Sequence, residues 1–235
     1  MNSFSSADKC SIWVVIRACN EENLISSTLA GVLDCGYSVV VVDDGSTDAT
    51  FAQAAAAAGV HICRHTINLG AGAALQTGIE YAVRRNAAVI VSFDADGQHD
   101  AADIESVARP ILDGMVDVVL GSRFMKAGSV ENIPRPRLLL LKGAIWMTRL
   151  TTGLKLTDSH NGFKAFAPHA ARKLQITQNR MAYGSEILSQ IAREKRRTVE
   201  VPVHVRYTDY SLQKGQKDIN ALNILWEFFI GSFKL

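Results

Sequence analysis

Short runs of apolar, often β-branched residues alternate along the first half of the chain with segments of helical character. Each run leads into a turn rich in glycine or aspartate, and a stretch of good helix formers follows. This recurrence is typical of βαβ units with buried parallel strands. It predicts an α/β fold on a Rossmann-like, doubly wound and mostly parallel sheet with helices on both faces. The predicted strands are 12–16, 39–42, 60–63, 88–93 and 116–120, and the predicted helices are 21–33, 49–58, 71–85 and 102–112.

The second half of the chain, from Ser129 onward, has a less regular pattern. We predict an apolar helix over residues 137–154, a loop leading into a strand over 158–166, a helix over 181–196 and an alternating strand over 198–205. A polar loop and an amphipathic helix over 218–233 follow. That last helix fits packing against the sheet or a second subunit, as in a homo-oligomer, and it also fits lying on a membrane surface.

Composition narrows the class of protein. The 235 residues are 48% hydrophobic and 20% charged, which predicts one large domain with a substantial core. The 25 Lys and Arg residues nearly balance the 23 Asp and Glu residues, so nothing favours nucleic acid as a partner. The four cysteines lack metal or disulfide spacing, and we see no signal peptide and no apolar run that would span a bilayer. These features favour a cytoplasmic protein, with association at the inner face of the membrane as an alternative.

Polar residues follow each of the five predicted strands. In open parallel sheets, ligands bind at the carboxyl ends of the strands, so we expect these polar clusters to form one site. The clusters are AsnGluGlu at 20–22, AspAspGlySer at 43–46, AsnLeuGlyAlaGly at 68–72, AspAlaAspGlyGlnHis at 94–99 and GlySerArg at 121–123.

The AspAlaAsp sequence at 94–96 is the sharpest of these clusters. Two carboxylates at i and i+2, directly after a buried strand, can hold a hard divalent cation together with phosphate oxygens. Gln98 would add a neutral oxygen. The plain structural alternative is an aspartate-rich turn.

Two further clusters allow both a structural and a functional interpretation. Asp43 and Asp44 would serve as turn and cap residues, or they would accept hydrogen bonds from a base N–H or a ribose hydroxyl. Gly70 and Gly72 do not complete a dinucleotide fingerprint, because its third glycine position is Leu75. They do fit a tight turn before a helix whose N-terminus faces the site.

The ordered set of clusters, with GlySerArgPhe at 121–124 and AspSerHisAsnGlyPhe at 158–163, resembles family 2 glycosyltransferases of the GT-A fold. It is most similar to the branch of dolichol-phosphate mannosyltransferases and other polyprenyl-phosphate glycosyltransferases. The resemblance spans residues 12–217. It implies a single GT-A domain over 1–235, with a nucleotide-sugar-binding half (12–125), an acceptor half (126–217) and the C-terminal amphipathic helix (218–235).

The resemblance also implies roles for the matched residues. Asp94, Asp96 and Gln98 would bind Mg²⁺ or Mn²⁺ and the diphosphate of a UDP- or GDP-linked sugar. The residues expected to bind substrate are Ala18, Glu21, Asp43, Asp44, Asn68, Gly70, Arg123, Arg206 and Lys214.

The implied chemistry is inverting transfer, in which an acceptor oxygen attacks the anomeric carbon in line and a nucleoside diphosphate leaves. The basic and apolar second half favours a polyprenyl phosphate acceptor, used in cell-envelope or glycan synthesis. That phosphate is already an anion and needs no general base. The absence of predicted membrane spans favours a sugar hydroxyl on a saccharide or lipid-linked acceptor instead, for which Asp158 or Glu186 would act as the base.

The sequence departs from the family pattern after the first strand. The family's Pro-x-Tyr is replaced by Arg17-Ala-Cys19, which removes an aromatic surface for the base worth about 1 kcal/mol. The identity of the base therefore stays open. This departure also suggests a nucleotide-sugar-binding module without turnover, against which the intact pair of Asp94 and Asp96 argues.

Overall fold

The computed structural model describes residues 4–126, 130–131, 133–180 and 182–207. In these residues, seven strands form one sheet and two short strands form another. The seven strands are β1 (Ile12–Ala18), β2 (Ser38–Asp43), β3 (Val60–Arg64), β4 (Val89–Asp94), β5 (Val118–Ser122), β7 (Lys164–Phe166) and β8 (Thr198–Pro202). Their order is β3-β2-β1-β4-β7-β5-β8, with β7 antiparallel to both neighbours and the other pairs parallel. Strands β6 (Val130–Glu131) and β9 (Val205–Arg206) pair separately.

Helices cover both faces of the large sheet. The helices are α1 (Ser6–Ser11), α2 (Ile25–Asp34), α3 (Thr50–Ala56), α4 (Ala71–Arg84), α5 (Ile104–Leu112), α6 (Arg135–Thr152), α7 (Pro168–Ala171) and α8 (Tyr183–Arg193). Alternate β1 residues point to opposite faces: Val14 lies in the core cluster that includes residues of α2 and α5, whereas Val15 lies in the cluster that includes residues of α4 and α8. The predicted mostly parallel sheet with helices on both faces is therefore confirmed.

Several predicted boundaries were wrong for local reasons. The helix predicted from Glu21 begins at Ile25, because residues 21–24 form a turn in which the backbone N–H of Leu24 donates to the carbonyl of Glu21. The strand predicted over 198–205 divides into β8 and β9 after Pro202, which has no N–H to donate. No helix in the described ranges is long and apolar enough to cross a membrane. The amphipathic helix predicted at 218–233 and Lys214 lie outside the described residues.

Helix α4 approaches β1 closely at Gly78, and this contact carries a prediction. A Cβ at position 78 would lie 2.1 Å from Cγ1 of Val15 and 3.2 Å from Cγ2 of Val42, both fully buried. We expect Gly78→Ala to lower the free energy of unfolding by about 1–3 kcal/mol in urea titrations, despite the better helix propensity of alanine. Gly143 in α6 is the matched control, because nothing lies within 4 Å of its added Cβ. Equal stability of the two alanine variants would contradict the close packing.

A pH-dependent contribution to stability is expected at Asp117, which precedes β5. Its carboxylate accepts from Nη2 of Arg197 at 2.7 Å and lies 3.1 Å from Nε2 of His169. The Arg197 hydrogen bonds lower the pKa of Asp117 from 3.8 to about 2. Since the folded pKa lies below the unfolded value, the stabilisation is complete above the unfolded pKa and is lost as pH falls towards the folded pKa.

We therefore expect Asp117→Asn to lower the free energy of unfolding at pH 7 by about 1 kcal/mol, a discounted value because Arg197 is largely exposed. The difference in the free energy of unfolding between this variant and the unsubstituted protein should narrow as pH falls below 3.8 towards 2. Urea titrations over this range measure it. Asp113→Asn, at an exposed carboxylate nearby, is the control and should show no such trend. A difference that stays constant down to the lowest pH would refute the ion-pair explanation.

Candidate functional site

The carboxyl ends of β1, β2 and β4 lie side by side, as the sequence predicts. The strand register places Ala18 opposite Asp43 and Arg17 opposite Asp94. The backbone N–H of Asp44 donates to the carbonyl of Ala18 at 2.8 Å. The polar residues after these strands thus share one edge of the sheet.

Asp44 holds the turn that leads into α4. Its carboxylate accepts from the backbone N–H of Leu69 at 2.9 Å and of Gly70 at 2.7 Å, and it lies 2.7 Å from Nδ1 of His65. Gly70 has φ +107°, and a Cβ there would lie 2.2 Å from the carbonyl oxygen of Asn179. A side chain at position 70 would therefore clash with backbone, and both Asp44 oxygens fix the turn in place.

The other residues expected on the donor side lie around this turn. Asp43 is fully buried, and its Oδ2 lies 3.1 Å from Nε of Arg64. Glu21 is buried, and its backbone N–H donates to Oγ1 of Thr50 at 2.7 Å. Asn68 is exposed, and its Nδ2 lies 3.0 Å from Sγ of Cys19. The edge is therefore formed by residues from three separate segments of the chain.

Arg17 is paired with the first carboxylate of the AspAlaAsp cluster. Its guanidinium forms an ion pair with Oδ1 of Asp94 and donates to the hydroxyl of Tyr183 from α8, whose ring centroid lies 5.1 Å away. Only 8% of the Arg17 surface is exposed. Although burial opposes ionisation, Arg17 and then His99 hold the pKa of Asp94 well below its usual range.

Asp96 has the opposite electrostatic environment. Burial, followed by the negative charge of Asp94, raises the pKa of Asp96 to about 6. Its carboxylate accepts from the backbone N–H of Gln98 at 3.1 Å, and the carbonyl of Gln98 accepts from the backbone N–H of Arg206 in β9 at 3.0 Å. The pKa values of the two carboxylates in this cluster are thus shifted in opposite directions, and such shifts are common at functional sites.

Asp96 and Gln98 carry side-chain oxygen atoms, and oxygen is the ligand type that hard divalent cations prefer. Asp94, however, is already engaged by Arg17. Across the described ranges, no group of three or more His, Cys, Asp or Glu side chains is arranged to hold a metal ion. A cation here would need oxygen ligands from elsewhere.

Arg123 and Asp158 form a buried pair that joins the end of β5 to the 158–163 loop. Nε of Arg123 donates to Oδ2 of Asp158 at 2.6 Å, and its other nitrogens donate to the hydroxyl of Tyr207 and, at 2.8 Å, to the carbonyl of His160. The backbone N–H of Asp158 donates to Glu200 of β8 at 3.0 Å. In this arrangement the pair anchors the loop.

The anchored loop covers the Arg17–Asp94 pair. A Cβ at Gly162 would lie 2.3 Å from Oδ2 of Asp94 and 3.3 Å from Nη2 of Arg17. Lys164 follows the loop and is buried, donating to the carbonyl of Asn161. Burial, and then the charge of Arg17, lowers the pKa of Lys164 to about 8.

Glu186, the other candidate base, contacts the 177–178 segment. This half-buried residue of α8 accepts from the backbone N–H of Thr177 at 3.0 Å, from its hydroxyl at 2.6 Å, and from the N–H of Gln178 at 2.9 Å. A Cβ at Gly72 would lie 2.1 Å from the carbonyl oxygen of Gln178. Glu186 thus holds the segment that packs on the start of α4.

Sequence reasoning missed three residues of the site, which are Lys164, Tyr183 and Tyr207. A lysine directly before a short apolar stretch was a usable signal for Lys164, because a charge at the edge of a core requires a partner. Nothing local marks Tyr183 or Tyr207, which meet Arg17 and Arg123 from distant segments.

Known proteins agree with this architecture. An N-acetylglucosaminyltransferase acting on dolichyl phosphate from Methanococcus voltae is 30% identical over 95% of this chain and 96% of its own length. An undecaprenyl-phosphate mannosyltransferase from Micrococcus luteus is 29% identical over 82% of each chain. The crystal structure of glucosyl-3-phosphoglycerate synthase from Mycobacterium tuberculosis, with Mn²⁺ and UDP, superimposes with a TM-score of 0.68 at 18% identity. The superposition covers 95% of this chain and 80% of the synthase chain.

The comparison with family models is consistent with these likenesses. The model described as glycosyl transferase family 2 matches residues 13–177, which include all of β1 but its first residue, β2 to β5, α6 and the 158–163 loop. The sheet order and the GT-A architecture agree with this match. The chain belongs to glycosyltransferase family 2.

Proposed function

We propose that this protein is an inverting glycosyltransferase that moves a sugar from a nucleoside diphosphate donor to a polyprenyl phosphate. Two relatives with similarity over most of this chain carry names that describe sugar transfer to such lipid phosphates. This activity would place the protein at the cytoplasmic face of a membrane.

The observation that carries the choice of acceptor is the engagement of both candidate bases. Asp158 is 2% exposed and paired with Arg123, and Glu186 is hydrogen-bonded to the 177–178 segment. A sugar hydroxyl would need one of these carboxylates to accept a proton, whereas a phosphate oxygen attacks as an anion. The arrangement therefore favours the phosphate acceptor.

Three cations are buried around the 158–163 loop, namely Arg17, Arg123 and Lys164. The carboxylates of Asp94 and Asp158 interact with these cations and that of Glu200 accepts from the backbone of the loop, so the six side chains are formally neutral. Cations held in place at such a site would interact with a phosphate and with the negative charge that develops on the leaving group.

In the proposed reaction, an oxygen of the lipid phosphate attacks the anomeric carbon while the bond to the nucleoside diphosphate breaks. The donor would lie across the carboxyl ends of β1 and β2, with its base and ribose near Ala18, Glu21, Asp43 and Asp44. Asn68 and Gly70 would border it, and Arg206, with Lys214 outside the described residues, would contact phosphate. Arg123 would order the loop beneath the diphosphate through Asp158.

We infer that Mg²⁺ or Mn²⁺ assists, with Asp96 and Gln98 as its protein ligands. The cation, when bound, would supply positive charge that stabilises the diphosphate leaving group. The Mn²⁺ and UDP in a solved structure of similar fold support the use of a divalent cation. Asp94 would lie next to this group with its charge balanced by Arg17.

The test is nucleoside diphosphate release from UDP- and GDP-sugars with Mg²⁺ or Mn²⁺. Three acceptors are compared: a short polyprenyl phosphate, the matching polyprenol without phosphate, and a saccharide. We expect release with the lipid phosphate alone. Release with the saccharide would instead support hydroxyl glycosylation, with Asp158 and Glu186 as the first bases to replace. Metal-dependent donor binding without release under any condition would support a binding module.

A further inference from the structure

We propose that Arg17 keeps Asp94 from binding a divalent cation, so that the cation is held only together with the nucleoside diphosphate. This inference rests on the cation site of the proposed function and assigns a role to the arginine at the position of the family's proline. Arg17 is a positioning residue here, since it acts through the carboxylate of Asp94.

The backbone fixes the pairing before any ligand is present. Arg17 and Asp94 are register partners at the ends of the adjacent parallel strands β1 and β4. The hydroxyl and ring of Tyr183 hold the guanidinium from the other side. The guanidinium of Arg17 is thus held on two sides and is buried, so it would lose several contacts if it moved away from Asp94.

The second oxygen of Asp94 also has protein neighbours, on a side chain that is 28% exposed. Oδ1 faces Arg17, whereas Oδ2 lies 3.7 Å from Nε2 of His99 and directly beneath Gly162. The ring of His99 is packed 5.1 Å from that of Phe163, measured between centroids. Rotation of the carboxylate towards a cation is therefore opposed on both sides by groups that are themselves packed.

Asp96 is then the one carboxylate of the AspAlaAsp cluster that Arg17 leaves for a cation. Mg²⁺ binds through one or two carboxylates completed by substrate phosphates and water, so a single carboxylate with Gln98 gives a weak site. The diphosphate oxygens of the donor supply the missing ligands. The positive charge of Arg17 lowers the affinity for a cation that arrives without the diphosphate.

The experiment is a titration of Mn²⁺ followed by electron paramagnetic resonance, with and without UDP or GDP. A parallel titration without protein corrects for the Mn²⁺ that the nucleotide binds in solution. We expect Mn²⁺ to bind the unsubstituted protein at least about tenfold more tightly with the nucleotide that the protein accepts. Equal affinity with and without nucleotide would overturn the proposal before any variant is made.

Arg17→Gln should raise the affinity for Mn²⁺ in the absence of nucleotide by about tenfold, and Asp94→Asn in the same chain should remove the gain. Arg64→Gln is the matched control, because Arg64 pairs with Asp43 at the same edge and its replacement removes the same charge. If Arg17→Gln does not fold, Tyr183→Phe takes its place in the experiment. This substitution keeps the ring and removes the hydroxyl that anchors Arg17, so it should give a smaller gain in affinity for Mn²⁺. A folded Arg17→Gln variant with unchanged affinity would refute the role of Arg17.

These results are separable from the proposed function. If the titrations behave as expected but no sugar is transferred, the role of Arg17 stands and the glycosyltransferase assignment fails. If sugar is transferred and Mn²⁺ binds equally well without nucleotide, the assignment stands and Arg17 has no such role.

Discussion

Asp96→Asn is expected to lower kcat/KM for sugar transfer by about 10²- to 10³-fold, the range found when one group that stabilises transition-state charge is removed. Asparagine keeps the shape of the side chain and one oxygen but removes the charge that binds a cation. The fold should not suffer, because burial and Asp94 raise the pKa of Asp96 to about 6, so that its ionised form, which predominates at pH 7, destabilises the folded state. The free energy of unfolding in urea should stay constant or rise.

The matched control for this substitution is Asp113→Asn. Asp113 is exposed and follows α5, at the opposite edge of the sheet from the site. Its replacement removes the same charge and should change neither kcat/KM nor stability. If Asp96→Asn retained full activity with the same dependence on Mg²⁺ or Mn²⁺, the cation would have to lie elsewhere. A loss of activity accompanied by a comparable loss of stability would assign Asp96 a structural role.

The parts of the fold predicted from sequence are those specified by local pattern. The valine run of β2 is buried on both faces, and such runs are typical of central parallel strands. The strand predicted at the end of 158–166 is β7, and its three residues, Lys164–Phe166, are too few to show the periodicity that would fix its bounds. It gains its place by pairing with β4 and β5, which lie far from it in the sequence.

In the site, too, local pattern predicts some features and distant pairing sets the others. The sequence identifies the polar clusters, since each directly follows an apolar run, and the structure brings those after β1, β2 and β4 to one edge. It does not identify the partners within the site. In the sequence, Arg17 is only a departure from the family pattern. The register of β1 and β4 places it opposite Asp94, which lies 77 positions further along the chain. Such pairings depend on strand order, which local sequence does not encode.

The second large effect is expected at the buried pair of Arg123 and Asp158. Arg123→Met keeps much of the side-chain volume but leaves the Asp158 carboxylate, 2% exposed, without its cation. Loss of one partner of a buried pair costs about 3–5 kcal/mol, because an uncompensated charge then remains in the interior. Urea unfolding at pH 7 should show a decrease of this order. A decrease below about 1 kcal/mol would match an exposed pair instead.

Adding Asp158→Asn to Arg123→Met should recover much of this loss, because the buried charge is then gone and the amide oxygen still accepts one of the two backbone hydrogen bonds that the carboxylate accepts. The single variant Asp158→Asn separates anchoring from proton transfer. If the lipid phosphate is the acceptor, its kcat should fall by less than about tenfold, whereas loss of a general base costs about 10²- to 10⁴-fold. A loss in that higher range, in a variant that still folds, would make Asp158 the base and a hydroxyl group the acceptor. The stability cycle and the rate together therefore decide whether Asp158 serves the loop or the reaction.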